Sequence, residues 1–287
     1  MKSLMKTASY LIKEGQKVSL ADFDPADTGH FKSKEEALTK LRADIEKMIS
    51  LQDRFYARNT YSLLIILQGM DCAGKDSLIK HVLSGLNPQG VEVYSFKKPT
   101  VEELEHDFLW RCWKRLPAKG HIGIFNRSYY EELLVTRVHP ELLEKERLPQ
   151  ETFDEKFWEK RFSAINHFEQ FLVENGLLII KFFLHLSKKE QDKRLAERIE
   201  REDKQWKISL SDLMERKKWH DYMSAYEKLL SETSTKHCPW YILPADHKWY
   251  SQLLAASILV EKMEALQLEY PKLSEEEKEK LKALFYN

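Results

Sequence analysis

Glycine and proline are both scarce in this chain of 287 residues, nine of each. So few turn formers argue against many short strands and favour long helices with solvated faces. Cysteine is scarcer still: Cys72, Cys112 and Cys238 stand far apart, with no CxxC pair. An odd number of isolated thiols speaks against a disulfide framework and offers no zinc-ligand spacing. Free thiols fit a reducing compartment. Net charge is lacking too, because 46 Lys and Arg balance 46 Asp and Glu. A neutral sum argues against bulk nucleic-acid binding, though not against a local basic groove. The N-terminal MKSLMKTASYLIKEGQ has no apolar segment followed by a cleavage site. No stretch approaches the roughly 18 apolar residues of a membrane span. A cytoplasmic protein with no membrane partner is therefore expected.

What is present is enough to build a core. Hydrophobic residues make up 43%, with 14 Phe, 12 Tyr and 7 Trp, so a folded chain rather than a disordered one is expected. The length suits one large α/β domain over residues 1–287. No repeat, low-complexity segment or linker interrupts it. Residues 1–33 carry turn signals such as Asp24-Pro25 and Thr28-Gly29 and read as a loosely structured arm. From Ser33, the apolar residues Leu38, Leu41, Ile45, Ile49, Leu51 and Phe55 recur at helical spacing, and Ser33 with Glu36 reads as a capping box. The continuous apolar run from Ser62 to Leu67 suits a parallel strand buried on both faces. Further strands are expected at 91–96, 121–125, 177–184 and 240–243. Helices are expected at 75–86, 101–115, 129–138, 153–175, 187–202, 209–233 with a break, 247–268, and once more after Pro271. Strands alternating with helices in this way imply an α/β fold with a parallel sheet of about five strands, flanked by helices on both faces.

The strongest motif is Gly69-Met-Asp-Cys-Ala-Gly74-Lys75, which matches G-x-x-x-x-G-K and lies between an expected strand and an expected helix. Its two glycines let several backbone N–H groups turn inward, and these form an anion nest with the helix N-terminus. Lys75 adds a point charge. A strand-to-helix turn that happens to hold two glycines is the plainer alternative. Gly69, Ala73, Gly74, Lys75 and Asp76 are the expected phosphate-binding residues of this P-loop. The motif normally continues with Ser or Thr on Mg²⁺; here Asp76 follows Lys75, and Asp71 lies inside the loop. A carboxylate in a phosphate cradle is repulsive unless a cation sits between. Asp71 is therefore expected to help hold Mg²⁺, against a turn-stabilising role. Asp76 either caps the helix or binds a water of the ion.

The third expected strand ends in Asn126-Arg127, the place where P-loop enzymes put a metal-contacting Asp. Asn126 is a neutral ligand, expected to reach the metal through water or to bind a phosphate oxygen. Arg127 sits at the strand edge where open sheets bind ligands. Glu131 and Glu132 open the next helix, where acids are favourable in any case. Contact with metal or acceptor is the alternative for Glu131.

These pieces carry a resemblance. GMDCAGKD, GLNPQGV, FNRSYYEELLVTRVHP, KFFLHLSKKEQ, WKISLSDLMERKKWHDYMSAYE and PWYILPADHKWY occur in that order between about Ser62 and Tyr250. Together they resemble the polyphosphate kinase 2 family. The resemblance implies a thymidylate-kinase-like P-loop kinase core with a helical lid. It divides the chain into an arm and helix (1–60), a core (61–186), a lid (187–235), and a last strand with C-terminal helices (236–287). It implies Asp71, Lys75, Asn126 and Arg127 as the catalytic set. Many members read Asp-Arg-Ser where this chain has Asn126-Arg127-Ser128. That variant resembles the subgroup acting on both nucleoside mono- and diphosphates, and it leaves the number of metal ions open.

The expected lid is rich in cations, among them Arg194, Arg198, Arg201, Lys204 and Lys207. Arg194 and Arg198 share a helix face at four-residue spacing and are expected to bind phosphate. A longer basic track would suit polyphosphate, while interleaved Glu residues allow an ordinary solvated helix. Lys97 and Arg137 are further phosphate candidates near strand ends, with His139 beside them. Trp219, Tyr222 and Tyr226 fall on one face, which suits packing more than base stacking. The expected reaction is Mg²⁺-dependent, with Mn²⁺ as an alternative ion, and reversible, between polyphosphate and AMP, ADP or ATP. The rivals are an ATP-dependent nucleoside monophosphate kinase and a non-catalytic anion-binding scaffold. A homodimer or homotetramer is expected from the resemblance.

Overall fold

The computed structural model describes residues 5–149 and 152–286. The strands are β1 (Ser62–Gln68), β2 (Val91–Ser95), β3 (Ile122–Asn126), β4 (Leu177–His185) and β5 (Trp240–Pro244). The helices up to the fourth strand are α1 (Lys34–Arg58), α2 (Lys75–Val82), α3 (Val101–Leu104), α4 (Trp110–Trp113), α5 (Glu131–Val138) and α6 (Glu155–Glu174). After it come α7 (Lys188–Glu200), α8 (Glu202–Gln205), α9 (Leu210–Lys217), α10 (Trp219–Thr233), α11 (Lys248–Glu264) and α12 (Glu275–Tyr286).

Every residue of β1 is buried. Such a strand has to lie inside a sheet covered on both faces. The sheet is parallel, in the order β2-β3-β1-β4-β5. Alternation along β1 feeds two cores. Leu63, Ile65 and Leu67 join Leu41, Met48 and Phe55 of α1 and Leu254 and Ile258 of α11. Leu64 and Ile66 join Leu133 of α5, Phe162 of α6 and Leu229 of α10. The chain leaves β1 for the edge strand β2, returns to β3, and only then crosses to β4. The crevice at this reversal opens outside the carboxyl ends of β1 and β3, where open α/β sheets hold ligands.

Several expectations are revised. The described part of the expected arm, residues 5–33, is not loose; residues 1–4 lie outside the described residues. Ile12, Val18 and Leu20 are buried, and Ile12 N–H donates to Trp240 O at 2.9 Å beside a Leu11–Tyr241 bridge. These anchors have no periodic spacing, so they are invisible as an element. Leu11 and Ile12 cover the free edge of β5, which would otherwise expose unpaired backbone groups, while the Val18 and Leu20 N–H groups donate to Ser231 and Glu227 of α10. Ser33 caps α1 by accepting from Glu36 N–H at 3.2 Å, but the Glu36 carboxylate reaches Lys32 N–H rather than that of Ser33. The expected helix over 101–115 is split into α3 and α4. Asp107 accepts from Leu109 N–H at 3.0 Å, a local side-chain bond that competes with helix continuation. The helix after the P-loop stops at Val82, and α9 and α10 meet at Lys218.

A buried polar network ties the layer of α5, α6 and α10 to the sheet. Lys181 of β4 is wholly buried. Its ammonium donates to Glu169 Oε2 (2.6 Å), Tyr130 Oη (2.9 Å) and the Thr233 carbonyl (2.7 Å). Glu169 Oε1 accepts from the hydroxyls of Tyr129 (2.8 Å) and Tyr130 (2.7 Å). Complete satisfaction is the condition under which a buried ion pair is tolerated. Glu169→Ala leaves the Lys181 charge unpaired and is expected to cost about 3–5 kcal/mol. That loss will appear as a lower urea midpoint, and adding Lys181→Met to the variant is expected to recover part of it.

Candidate active site

The loop after β1 takes three left-handed residues: Gly69 (φ 150°), Cys72 (φ 66°) and Gly74 (φ 110°). Gly69 has no substitute, because a Cβ there would lie 2.8 Å from the Leu184 carbonyl oxygen. Gly74 is the N-cap of α2, so Lys75 begins that helix with its positive dipole end at the loop. Lys75 is buried, and its ammonium donates to the carbonyls of Gly69 (2.6 Å) and Met70 (3.2 Å). Burial pushes its pKa down to about 8, and Arg127 pushes the same way; Asp71, Glu131 and Asp76 oppose them.

Register places the second half of the site. Leu67 of β1 pairs with Asn126 of β3, and Arg127 N–H donates to Leu67 O at 3.1 Å. Arg127 is itself left-handed, with φ 65°. Its guanidinium bridges Asp71 Oδ1 (2.7 Å) and Glu131 Oε2 (2.9 Å). Glu131 first, and Asp71 after it, drive the Arg127 pKa further up. The Asn126 side-chain amide donates to Asp76 Oδ1 at 2.7 Å. The structure thus brings together Asp71, Lys75, Asp76, Asn126, Arg127 and Glu131. The other oxygen of Glu131, Oε1, is buried without a partner.

Helix α7 stands over the loop. Gln191 Nε2 donates to Asp71 O at 3.0 Å. Arg194 is buried, and all five of its N–H groups have protein acceptors. Nη1 serves Cys72 O (2.9 Å) and Ala73 O (3.3 Å), Nη2 serves Ala245 O (2.8 Å) and Asp246 O (2.9 Å), and Nε serves Glu190 (2.9 Å). The expectation that Arg194 binds phosphate with its own donors is therefore at odds with this geometry.

Between the loop and α7–α9 lies a cavity of about 380 Å³. Gly74, Lys75, Asp76, Arg127, Arg194, Arg198, Lys204, Lys207 and Lys248 line it, with Glu197 and Asp212. Trp206, 77% exposed, is its one aromatic among the described residues. Of the span expected as a lid, α10 belongs to the main body, with Trp219, Tyr222 and Tyr226 buried. Lys97 and Arg137 are not among the lining residues. The Lys97 carbonyl accepts from Arg111 (2.7 Å), and Arg137 pairs with Glu155 (3.0 Å) across the Trp158 ring. His139 bonds Glu215 of α9 at 2.9 Å. Gln191 and Lys248 were not singled out in sequence. A neutral Gln on a charged helix gives no signal, but Lys248 was findable, lying just past the carboxyl end of β5.

Residues 31–271 match the polyphosphate kinase 2 (PPK2) family. The chain is 50% identical over 268 residues to a Rhodopseudomonas palustris protein named ADP-polyphosphate phosphotransferase, covering 93% of each. It is 43% identical over 263 residues to a Meiothermus ruber protein named AMP/ADP-polyphosphate phosphotransferase, covering 91% of this chain and 94% of that one. Its fold superposes on the crystal structure of polyphosphate kinase 2 from Arthrobacter aurescens with a TM-score of 0.88 and 38% identity, over 99% of this chain and 98% of the other. With a phosphate-binding loop, a basic cavity and this likeness along nearly its whole length, the chain belongs to the polyphosphate kinase 2 family of phosphotransferases.

Proposed function

We propose that this enzyme transfers the terminal phosphoryl group of inorganic polyphosphate to AMP or ADP, and runs in reverse when concentrations favour it. The observation that carries the reading is the cavity continuous with the P-loop. Its walls are charged rather than apolar, with Arg198, Lys204, Lys207 and Lys248 facing a space that also reaches Lys75. A linear polyanion needs such a track, whereas a donor ATP needs flat apolar surfaces for its adenine.

In the reaction, an oxygen of the nucleotide's terminal phosphate forms a new P–O bond as the anhydride bond of the donor breaks. The attacking oxygen is already ionised near neutral pH, so no proton has to move. The protein's task is positioning and charge neutralisation. The inward amides of the loop hold the terminal phosphate. Lys75 exchanges its bonds to Gly69 O and Met70 O for phosphate oxygens. Arg127, held between Asp71 and Glu131, meets the transferring group.

Mg²⁺, or Mn²⁺ in its place, takes one or two carboxylates and completes its shell with phosphate oxygens and water. Asp71 and Asn126, the latter through water, would hold it, and the unpartnered Glu131 Oε1 fits a cation nearby. When bound, the ion neutralises phosphate charge. A single domain is the organisation this reading carries. A homodimer or homotetramer in the cytoplasm accompanies it, supported by the exposed apolar side chains Leu281, Leu284 and Phe285 of α12 and the three free thiols.

Purified protein with Mg²⁺ and polyphosphate is expected to convert AMP to ADP and ADP to ATP, read by nucleotide chromatography. Product formed only with ATP as donor would instead establish a nucleoside monophosphate kinase. Lys75→Ala is expected to lose about 100- to 1,000-fold in kcat, the loss seen when a preorganised donor is removed. The lowered pKa of Lys75 has a sign that can be checked. In the empty enzyme its charge is lost as pH rises through about 8, so kcat/KM for polyphosphate is expected to fall above that pH. Bound phosphate stabilises the charged form, so kcat will hold to higher pH than kcat/KM.

A further inference from the structure

We infer that Gln191 and Arg194 are positioning residues that set the P-loop in its phosphate-ready shape before substrate arrives, by taking up its carbonyl oxygens. The inference rests on the P-loop being the phosphate site. A peptide loop can aim its N–H groups at an anion only if the opposing C=O groups point elsewhere and are satisfied there. Each carbonyl from residue 69 to 73 has such a partner. Lys75 takes Gly69 O and Met70 O, Gln191 takes Asp71 O, and Arg194 takes Cys72 O and Ala73 O. The amides of Cys72, Gly74, Lys75 and Asp76 have no protein acceptor among the described residues. The loop is thus polarised: α7 takes the oxygens of residues 71–73 and Lys75 those of 69 and 70, while the four residues with free amides line the cavity.

The arrangement also accounts for Cys72, a non-glycine residue at φ 66°. A left-handed side-chain-bearing residue persists where its surroundings over-determine it, and the Arg194 bond to its carbonyl is such a constraint. The other end of Arg194 holds Ala245 O and Asp246 O, beyond β5. One guanidinium therefore locks together the loop after β1, the turn after β5 and the base of α7. Arg198, one turn further along, donates among the described residues only to Lys207 O, at 2.9 Å, and lines the cavity. The two arginines of one helix face divide the work: Arg194 shapes the loop and Arg198 meets the polyanion.

The discriminating variant is Arg194→Lys. A point charge serves a phosphate well, but it cannot span four carbonyls as a planar fork does. The full chain is assayed with polyphosphate and ADP. Hydrogen exchange of amides 72–76 is measured without substrate. Arg194→Lys is expected to lose on the order of 100-fold in kcat, with KM for ADP unmoved and loop exchange accelerated. Gln191→Ala shifts both in the same direction by less, and it carries the test if the Arg194 variant fails to fold. Arg198→Ala raises KM for polyphosphate and leaves loop exchange at the wild-type rate. Wild-type turnover in Arg194→Lys means a direct charge contact with phosphate and overturns the inference, as does unaltered loop exchange in both Arg194→Lys and Gln191→Ala. If the wild-type protein uses ATP and not polyphosphate, the donor reading fails while the exchange comparison still decides the role of the pair.

Discussion

Two carboxylates, Asp71 and Glu131, face a site built for phosphate, and the guanidinium of Arg127 between them is what makes their presence tolerable. Without it, the negative side chains would repel the substrate. With it, the pair becomes a fixed frame that holds the guanidinium in the middle. Most of the molecule serves that juxtaposition. Asp71 arrives on the loop after β1 and Arg127 at the end of β3, and the ladder between these strands sets their distance. Glu131 reaches the same guanidinium from the first turn of α5.

The frame is held from behind. Ser128, Tyr129 and Tyr130 follow Arg127 directly, and the two tyrosine hydroxyls meet Glu169, which is paired with Lys181 of β4. The segment carrying Arg127 is thereby anchored in the interior one turn from the chemistry. Buried ion pairs contribute little net stability against an apolar replacement. Here the value of the pair is geometric: its acceptors and donors are all used, so neither α5 nor α6 can shift without leaving a buried charge exposed to nothing. Beside this frame, Lys75 lies buried, and burial lowers its affinity for a proton. In the proposed reaction, bound phosphate restores that affinity, so binding and charge at this residue reinforce each other.

The sheet, its parallel sense and the position of the phosphate loop were legible in the residues. The apolar run from Ser62 to Leu67 and the spacing of Gly69, Gly74 and Lys75 are local patterns, and local patterns survive in a sequence. The joining of Asp71 with Arg127 was half legible, since each marks a strand end but nothing local says the strands are neighbours. The arm before Ser33 was misread because Ile12, Val18 and Leu20 anchor it singly, against β5 and α10, which lie more than 200 residues later in the chain. The helix over 101–115 failed at Asp107, where one side-chain oxygen outcompeted the next helical turn.

The arginines of α7 show the boundary most clearly. Sequence placed Arg194 and Arg198 on one face of a helix and near phosphate chemistry, since a 3.6-residue period and a basic composition are properties of the chain alone. It could not separate their tasks. That depended on which carbonyls lay within reach of Arg194, and those belong to residues about 50 and 120 positions away. Residue type, periodicity and motif chemistry are inherited directly from the sequence. Which donor meets which acceptor is decided only when the sheet brings remote strand ends into one crevice, because a hydrogen bond depends on distance and angle rather than on order along the chain.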